Sequence, residues 1–198
     1  MPDRSPEQSQ TPEADDRAGR DEQPPRRPVT LLQQRGIEAE VLIPFIRRLE
    51  GEMGKARAHQ VAREVIEEIA RQQGQQVAEA LGRDDLTGFT EVKDSWGGAG
   101  GDLTIETLRQ DDGRLEFNVV GCRFAEMYRQ MGAEDLGFIL SCARDFSLSE
   151  GYSPDLQLDR TQTIMQGATF CDFRYRLAHP TDATATTTTT EEDSLPQA

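Results

Sequence analysis

Asp111, Asp112 and Gly113 separate two short runs of strand-forming residues, 103–108 and 115–120, and that spacing makes the chain double back on itself. In the second run Leu115, Phe117 and Val119 alternate with Glu116 and Asn118, so one face is apolar and the other polar. An Asp-Gly turn between such runs is a strong hairpin signal, and an antiparallel pair is predicted here. A second pair is predicted at 158–165 and 169–177, around Gly167. In its last strand Cys171, Phe173, Tyr175 and Leu177 share one face, while Asp172, Arg174 and Arg176 share the other. Cys171 therefore points to the core and Asp172 away from it.

The rest of the pattern is helical. Thr30 can cap a first helix carrying Ile37, Val41, Phe45, Leu49 and Met53 every four residues, with Leu42 and Ile46 widening this core-facing stripe. Pro44 lies inside it and predicts a kink or a fresh start, and Gly51 and Gly54 mark its end. A second helix is predicted over 56–80, with Val61, Val65, Ile69 and Val77 on its buried face and Gly82 closing it. Residues 89–101, FTEVKDSWGGAGG, lack the Lys-Ser/Thr ending of a phosphate-binding loop and read as a connector or lid. Between the hairpins, Phe124, Met127, Tyr128 and Met131 mark one helix, and Leu136, Ile139, Leu140 and Ala143 another over 134–146. The fold class is α+β: an N-terminal helical pair, then an antiparallel four-stranded sheet made of two hairpins, with helices packed on it.

Residues 1–28 and 181–198 are too polar or too repetitive to order themselves. One domain is expected over 29–178, with a helical part at 30–82 and a sheet and cysteine-bearing part at 87–178, between disordered tails at 1–28 and 179–198. About 150 residues suffice for a real core. The formal charge of -14 argues against nucleic acid, which requires a concentrated basic face. No apolar run approaches the roughly 18 residues of a membrane span, and the opening residues have no apolar signal region. A small-molecule substrate and the cytoplasm are expected, with the cysteines reduced; the pattern leaves the oligomeric state open.

The chemistry is concentrated between Asn118 and Tyr175, which hold all three cysteines. Cys122 follows a strand, starts a helix and sits beside Arg123, a place where a helix dipole and a cation favour a thiolate nucleophile. Glu126, one turn on, can act as acid or base, or cap the helix. Cys142 and Asp145 are i, i+3 neighbours that can face one pocket, where Asp145 would position water or take a proton. Arg123, Arg160, Thr161 and Arg174 are candidates for binding a substrate, the arginines by clamping a carboxylate. Cys122, Cys142 and Cys171 with a carboxylate or water would also satisfy zinc, although they lie 20 and 29 residues apart and form no CxxC pair. The alternative is that all three are buried small hydrophobes. His59 stands alone on its helix and His179 borders the C-terminal tail, so neither completes a Cys-His dyad.

The runs CRFAEMYRQMG and LGFILSCARDFSLSEGYSPDLQLDRTQTIMQGATFCDFRY, with IEAEVLIPFIRRLEGEMG before them, resemble the L-2-amino-thiazoline-4-carboxylic acid hydrolase family. The resemblance covers residues 31–177. It implies hydrolytic opening of a five-membered cyclic amidine to a carbamoyl-cysteine, on the route to L-cysteine. The electrophilic carbon of such a ring, C2, lies between sulfur and nitrogen and is open to a thiolate or an activated water. The other reading is a non-catalytic module in which the cysteines hold a small molecule or a metal, or sense oxidation.

Overall fold

The structure, a computed structural model, describes residues 29–97 and 101–178. Both expected tails, His179, and residues 98–100 of the glycine-rich segment lie outside the described residues.

Helix α1 spans Leu31–Met53. It opens on a capping box, with Gln33 N–H donating to Thr30 Oγ1 (3.1 Å) and Thr30 N–H to Gln33 Oε1 (3.0 Å). Pro44 neither ends nor restarts it, because Ala39 and Ile46 on either side are pinned in the core. Gly54, at φ 83°, turns the chain into α2, Lys55–Leu81, which ends at Gly82 in the left-handed region (φ 64°).

The faces of these two helices differ from the expected stripes. Ile37, Val41, Phe45 and Met53 are exposed, and so are Val65 and Ile69. The buried side is made of small residues, Ala39 with Ile46 on α1 and Ala58, Ala70 and Gly74 with Ile66 on α2. A four-residue spacing drifts about 40° around the helix at each step, so such a stripe leaves any one face. Small side chains let the helices approach closely. One such close approach is between α2 and α6 (Arg144–Tyr152). A Cβ at Gly74 would stand 2.2 Å from the Leu148 carbonyl oxygen, and one at Gly151 would stand 2.0 Å from that of Arg71.

Residues 86–96 form a helix, α3 (Leu86–Trp96), rather than a connector. Asp85 caps it by accepting from Gly88 N–H (2.9 Å), and Leu86, Phe89 and Lys93 are buried at helical spacing. Both hairpins form, giving one antiparallel sheet in the order β1-β2-β4-β3, with β1 Leu103–Gln110, β2 Arg114–Cys122, β3 Leu156–Asp159 and β4 Cys171–Leu177. Strand β3 is earlier and shorter than the sequence suggests. The Asp172 carboxylate draws the following chain off the sheet by accepting from Thr161 N–H (3.0 Å), Gln162 N–H (2.8 Å) and Thr161 Oγ1 (2.6 Å). A 3-10 turn at Ile164–Gln166 then leads to Gly167 (φ 98°). Leu115, Phe117 and Val119 of β2 and Cys171, Phe173 and Tyr175 of β4 bury the inner face, where the Phe117 and Phe173 rings stack at 4.8 Å.

Helix α4, Arg123–Gln130, follows β2 directly. The next helical stretch is in three pieces: α5 Glu134–Gly137, a π-helical turn Phe138–Cys142, and α6. Among the described residues no helix is long and apolar enough to cross a membrane.

Replacing Gly74 or Gly151 by Ala forces backbone apart and should lower the unfolding free energy by about 2–3 kcal/mol. Gly51→Ala, in a helix interior with nothing near the new methyl, should instead raise it by about 0.5–1 kcal/mol. Urea denaturation midpoints of the three variants test both signs.

Candidate active site

Between the helices and the inner face of the sheet lies a cavity of about 420 Å³, within the range of small-molecule sites. Its lining includes Cys122, Cys142, Cys171, Asp145 and Arg160, so the three thiols, remote in sequence, meet around one space. Trp96, Leu103, Val119 and Phe173 supply apolar wall, and Arg35, Gln73 and Arg144 add polar groups from the helices.

Each cysteine is placed by a chain junction. Cys122 ends β2 and is the N-cap of α4, its Sγ accepting from Ala125 N–H at 3.4 Å. Cys171 begins β4, and its Sγ accepts from Ile164 N–H of the 3-10 turn at 3.2 Å. Cys142 closes the π-helical turn and Asp145 lies in the first turn of α6. π-Helical turns recur at functional sites because they re-aim the side chains that follow.

Arg160 and Asp145 form the electrostatic centre. One Arg160 Nη donates to the Asp145 carboxylate, and the other to the Cys142 carbonyl oxygen at 2.9 Å. The guanidinium lies 4.9 Å from the centroid of the Phe146 ring, 5.0 Å from that of Phe173 and 5.9 Å from that of Phe138. Its side chain is 2% exposed, whereas that of Asp145 keeps 23% of its surface open, on the side that lines the cavity. Burial pulls the Arg160 pKa down, but Asp145 and Cys142 outweigh it and hold the guanidinium protonated. Burial pushes the Asp145 carboxyl above the usual carboxylate range, against the pull of Arg160. The result is a carboxylate kept next to a fixed cation yet more basic than one in water.

The thiols shift the opposite way from the expectation at Cys122. Burial raises its pKa to about 11, although backbone N–H groups of Ala125 and Phe124 oppose the rise. Burial, then the Asp145 charge, raises Cys142 well above the usual thiol range. Cys171 is raised by burial too, against Ile164 N–H and Arg160. Desolvation therefore outweighs the helix start, and all three are thiols near neutrality.

The other sequence candidates lie outside this lining. Glu126 is exposed on α4. Arg123 pairs with Asp102 at 2.9 Å, and Thr161 bonds Asp172. Arg174 donates to the Phe117 and Phe173 carbonyl oxygens (both 2.8 Å) and to Asn118 Oδ1 (2.9 Å). Neither Arg35 nor Arg144 is marked by any motif in the sequence. Among the described residues, the His, Cys, Asp and Glu ligand atoms within 4.8 Å of one another are those of Glu50, His59 and Asp135. The cysteine sulfurs are not spaced that closely as a trio. At the Glu50 cluster, Arg47 and Lys55 already neutralise Asp135 at 2.6 and 2.7 Å.

The family model described as L-2-amino-thiazoline-4-carboxylic acid hydrolase matches residues 34–175. Among solved structures, the chain is similar to the crystal structure of the phenol-responsive sensory domain of the transcription activator PoxR with phenol. That similarity has a TM-score of 0.42 at 13% identity, over 74% of this chain and 72% of that one. No curated protein matches the chain.

The raised thiols predict slow alkylation by iodoacetamide at pH 7 in the folded protein, with Cys122 gaining reactivity along a titration centred at about 11. A thiol held neutral by the fold stabilises it below the unfolded thiol pKa, and that contribution disappears as pH rises through the folded value. Folding stability should therefore fall between about pH 9 and about pH 11, and fall less in Cys122→Ala. Rapid modification of Cys122 at pH 7 would contradict the burial argument.

Proposed function

The chain belongs to the L-2-amino-thiazoline-4-carboxylic acid hydrolase family, and from that premise we propose that it hydrolyses a small five-membered cyclic amidine inside the cavity between its helices and sheet. The observation that carries the reading is the convergence of Asp145, Arg160 and the three thiols on one cavity of small-molecule size. Opening an amidine ring consumes one water. Its oxygen becomes the carbamoyl oxygen, and its two protons end on the heteroatoms that flanked C2. Such a step needs a base that takes a proton as the oxygen attacks and returns it as the ring bond breaks.

Asp145 suits that role. Burial makes its carboxylate more basic, and Arg160 fixes its orientation and opposes its protonation. The thiols are poor resting nucleophiles because each is held protonated. Cys142 becomes one only if Asp145, three residues on, takes its proton, which gives the covalent variant of the same chemistry. A carbamoyl-cysteine product follows for the substrate named by the family. The raised thiol pKa values favour a second reading, in which the cavity binds a small molecule without turnover.

With L-2-amino-thiazoline-4-carboxylate as substrate, Asp145→Asn should lower kcat by about 100-fold or more, the size of a general-base contribution. The variant leaves Arg160 buried without its counter-charge and should cost about 3–5 kcal/mol in stability. The double variant Asp145→Asn/Arg160→Met removes that cost and should stay inactive. Single Cys→Ser variants separate the two routes: a kcat collapse confined to Cys142→Ser selects the covalent one, and near-normal rates in all three select direct attack by water. Full activity of Asp145→Asn would end the proposal, and saturable ligand binding without ring opening would leave the binding reading.

A further inference from the structure

Three guanidiniums (Arg35, Arg144 and Arg160) line the cavity against one carboxylate, that of Asp145. Arg160 and Asp145 cancel each other, which leaves Arg35 and Arg144. Their side chains are only 9% and 7% exposed, and both reach the same neighbour, Glu38 of α1. Arg35 Nη1 donates to both Glu38 oxygens at 2.9 and 2.8 Å, and Arg144 Nη2 donates to one at 3.2 Å. Arg144 is further fixed by Nε on the Leu140 carbonyl oxygen (2.9 Å) and Nη1 on Gln73 Oε1 (3.2 Å). One carboxylate thus serves two buried guanidiniums, and a positive charge is left over inside a protein whose formal charge is -14.

A surplus buried cation is costly unless an anion joins it. We propose that Arg35 and Arg144 form an anion subsite that receives the carboxylate of the small-molecule ligand, with Glu38 as the resident counterion holding the two guanidiniums side by side. The subsite lies close enough to Asp145 for both arginines to act electrostatically on its carboxyl group. A small ligand held there by its carboxylate presents the rest of its ring toward Asp145 and the thiols. The ligand class is then a small carboxylate whose reactive carbon lies on the same compact ring. This rests on the reading of the cavity as the substrate site, but it concerns recognition rather than turnover.

The test compares L-2-amino-thiazoline-4-carboxylate with 2-amino-2-thiazoline, the same ring without the carboxylate, by calorimetric binding and by ring opening in the full-length chain. Wild type should prefer the carboxylate by about 30-fold or more, the contribution of a charge-assisted hydrogen bond in a desolvated site. Arg35→Gln and Arg144→Gln should each remove most of that preference while weakening binding of the decarboxylated ring by no more than about 3-fold. If Arg144→Gln does not fold, Arg35→Gln carries the test, since its side chain bonds only within α1 among the described residues. Equal loss for both ligands would mean that the arginines only support the fold, and it would overturn the subsite. Ring opening with no preference for the carboxylate would overturn the subsite and leave the hydrolase reading standing. Arginine-dependent carboxylate binding without ring opening would do the reverse, and no binding of either ring would overturn the subsite.

Discussion

The ion pair between Arg160 and Asp145 is the interaction on which the arrangement of the site depends. A guanidinium whose side chain is 2% exposed cannot be left without a partner in a low-dielectric interior. Its partners come from different parts of the fold: a carboxylate from α6, a carbonyl oxygen from the π-helical turn, and aromatic faces from that turn, α6 and β4. Satisfying Arg160 therefore fixes where the chain leaving β3 stands relative to the helical layer. Buried pairs add little net stability over apolar packing of the same volume. What this one supplies is position, for a carboxylate that lines the cavity.

That carboxylate can be placed accurately because α6 cannot slide along α2. Gly74 and Gly151 bring two backbones within a distance that admits no Cβ, so the register of the two helices is set by contact rather than by interdigitating side chains. The π-helical turn just before α6 then rotates Cys142 and Asp145 together toward the cavity. Gln73, which holds Arg144, neighbours Gly74. This close backbone approach in the helical layer and the polar wall of the cavity are thus adjacent parts of one construction.

Much of this framework was legible in the sequence, and the failures have identifiable causes. Period-2 alternation is unambiguous, so the β1–β2 hairpin and the inward face of Cys171, Phe173 and Tyr175 could be read directly. A strand running into a helical period also placed Cys122 at a helix start, where it does cap α4. The stripes of large apolar residues on α1 and α2 do not mark the buried faces, because the small residues Ala39, Ala58, Ala70 and Gly74 make the contact. Helix α3 was hidden by its glycine-rich sequel, though Asp85 followed by Leu86, Phe89 and Trp96 at helical spacing was the available signal. Arg35 carried no signal, since its role depends on Arg144, more than a hundred residues away. The thiol pKa values are hidden for a similar reason: a helix N-terminus is visible in sequence, but the desolvation that outweighs it is not.

The charges around the cavity also act on one another in a way that links recognition to chemistry. Arg35 and Arg144 both pull the Asp145 carboxyl down, and they do so most strongly when their own charge is least compensated. On the subsite proposed above, a ligand carboxylate settling on the two arginines screens that pull and adds a like charge near Asp145. Both effects raise the affinity of Asp145 for a proton at the moment when a substrate is in place. Arg160, already hydrogen-bonded to Asp145, opposes that rise. A ring of the same shape without the carboxylate would enter the cavity without this adjustment and meet a weaker base. Anion recognition at one end of the site and base strength at the other are in this arrangement two consequences of one electrostatic balance.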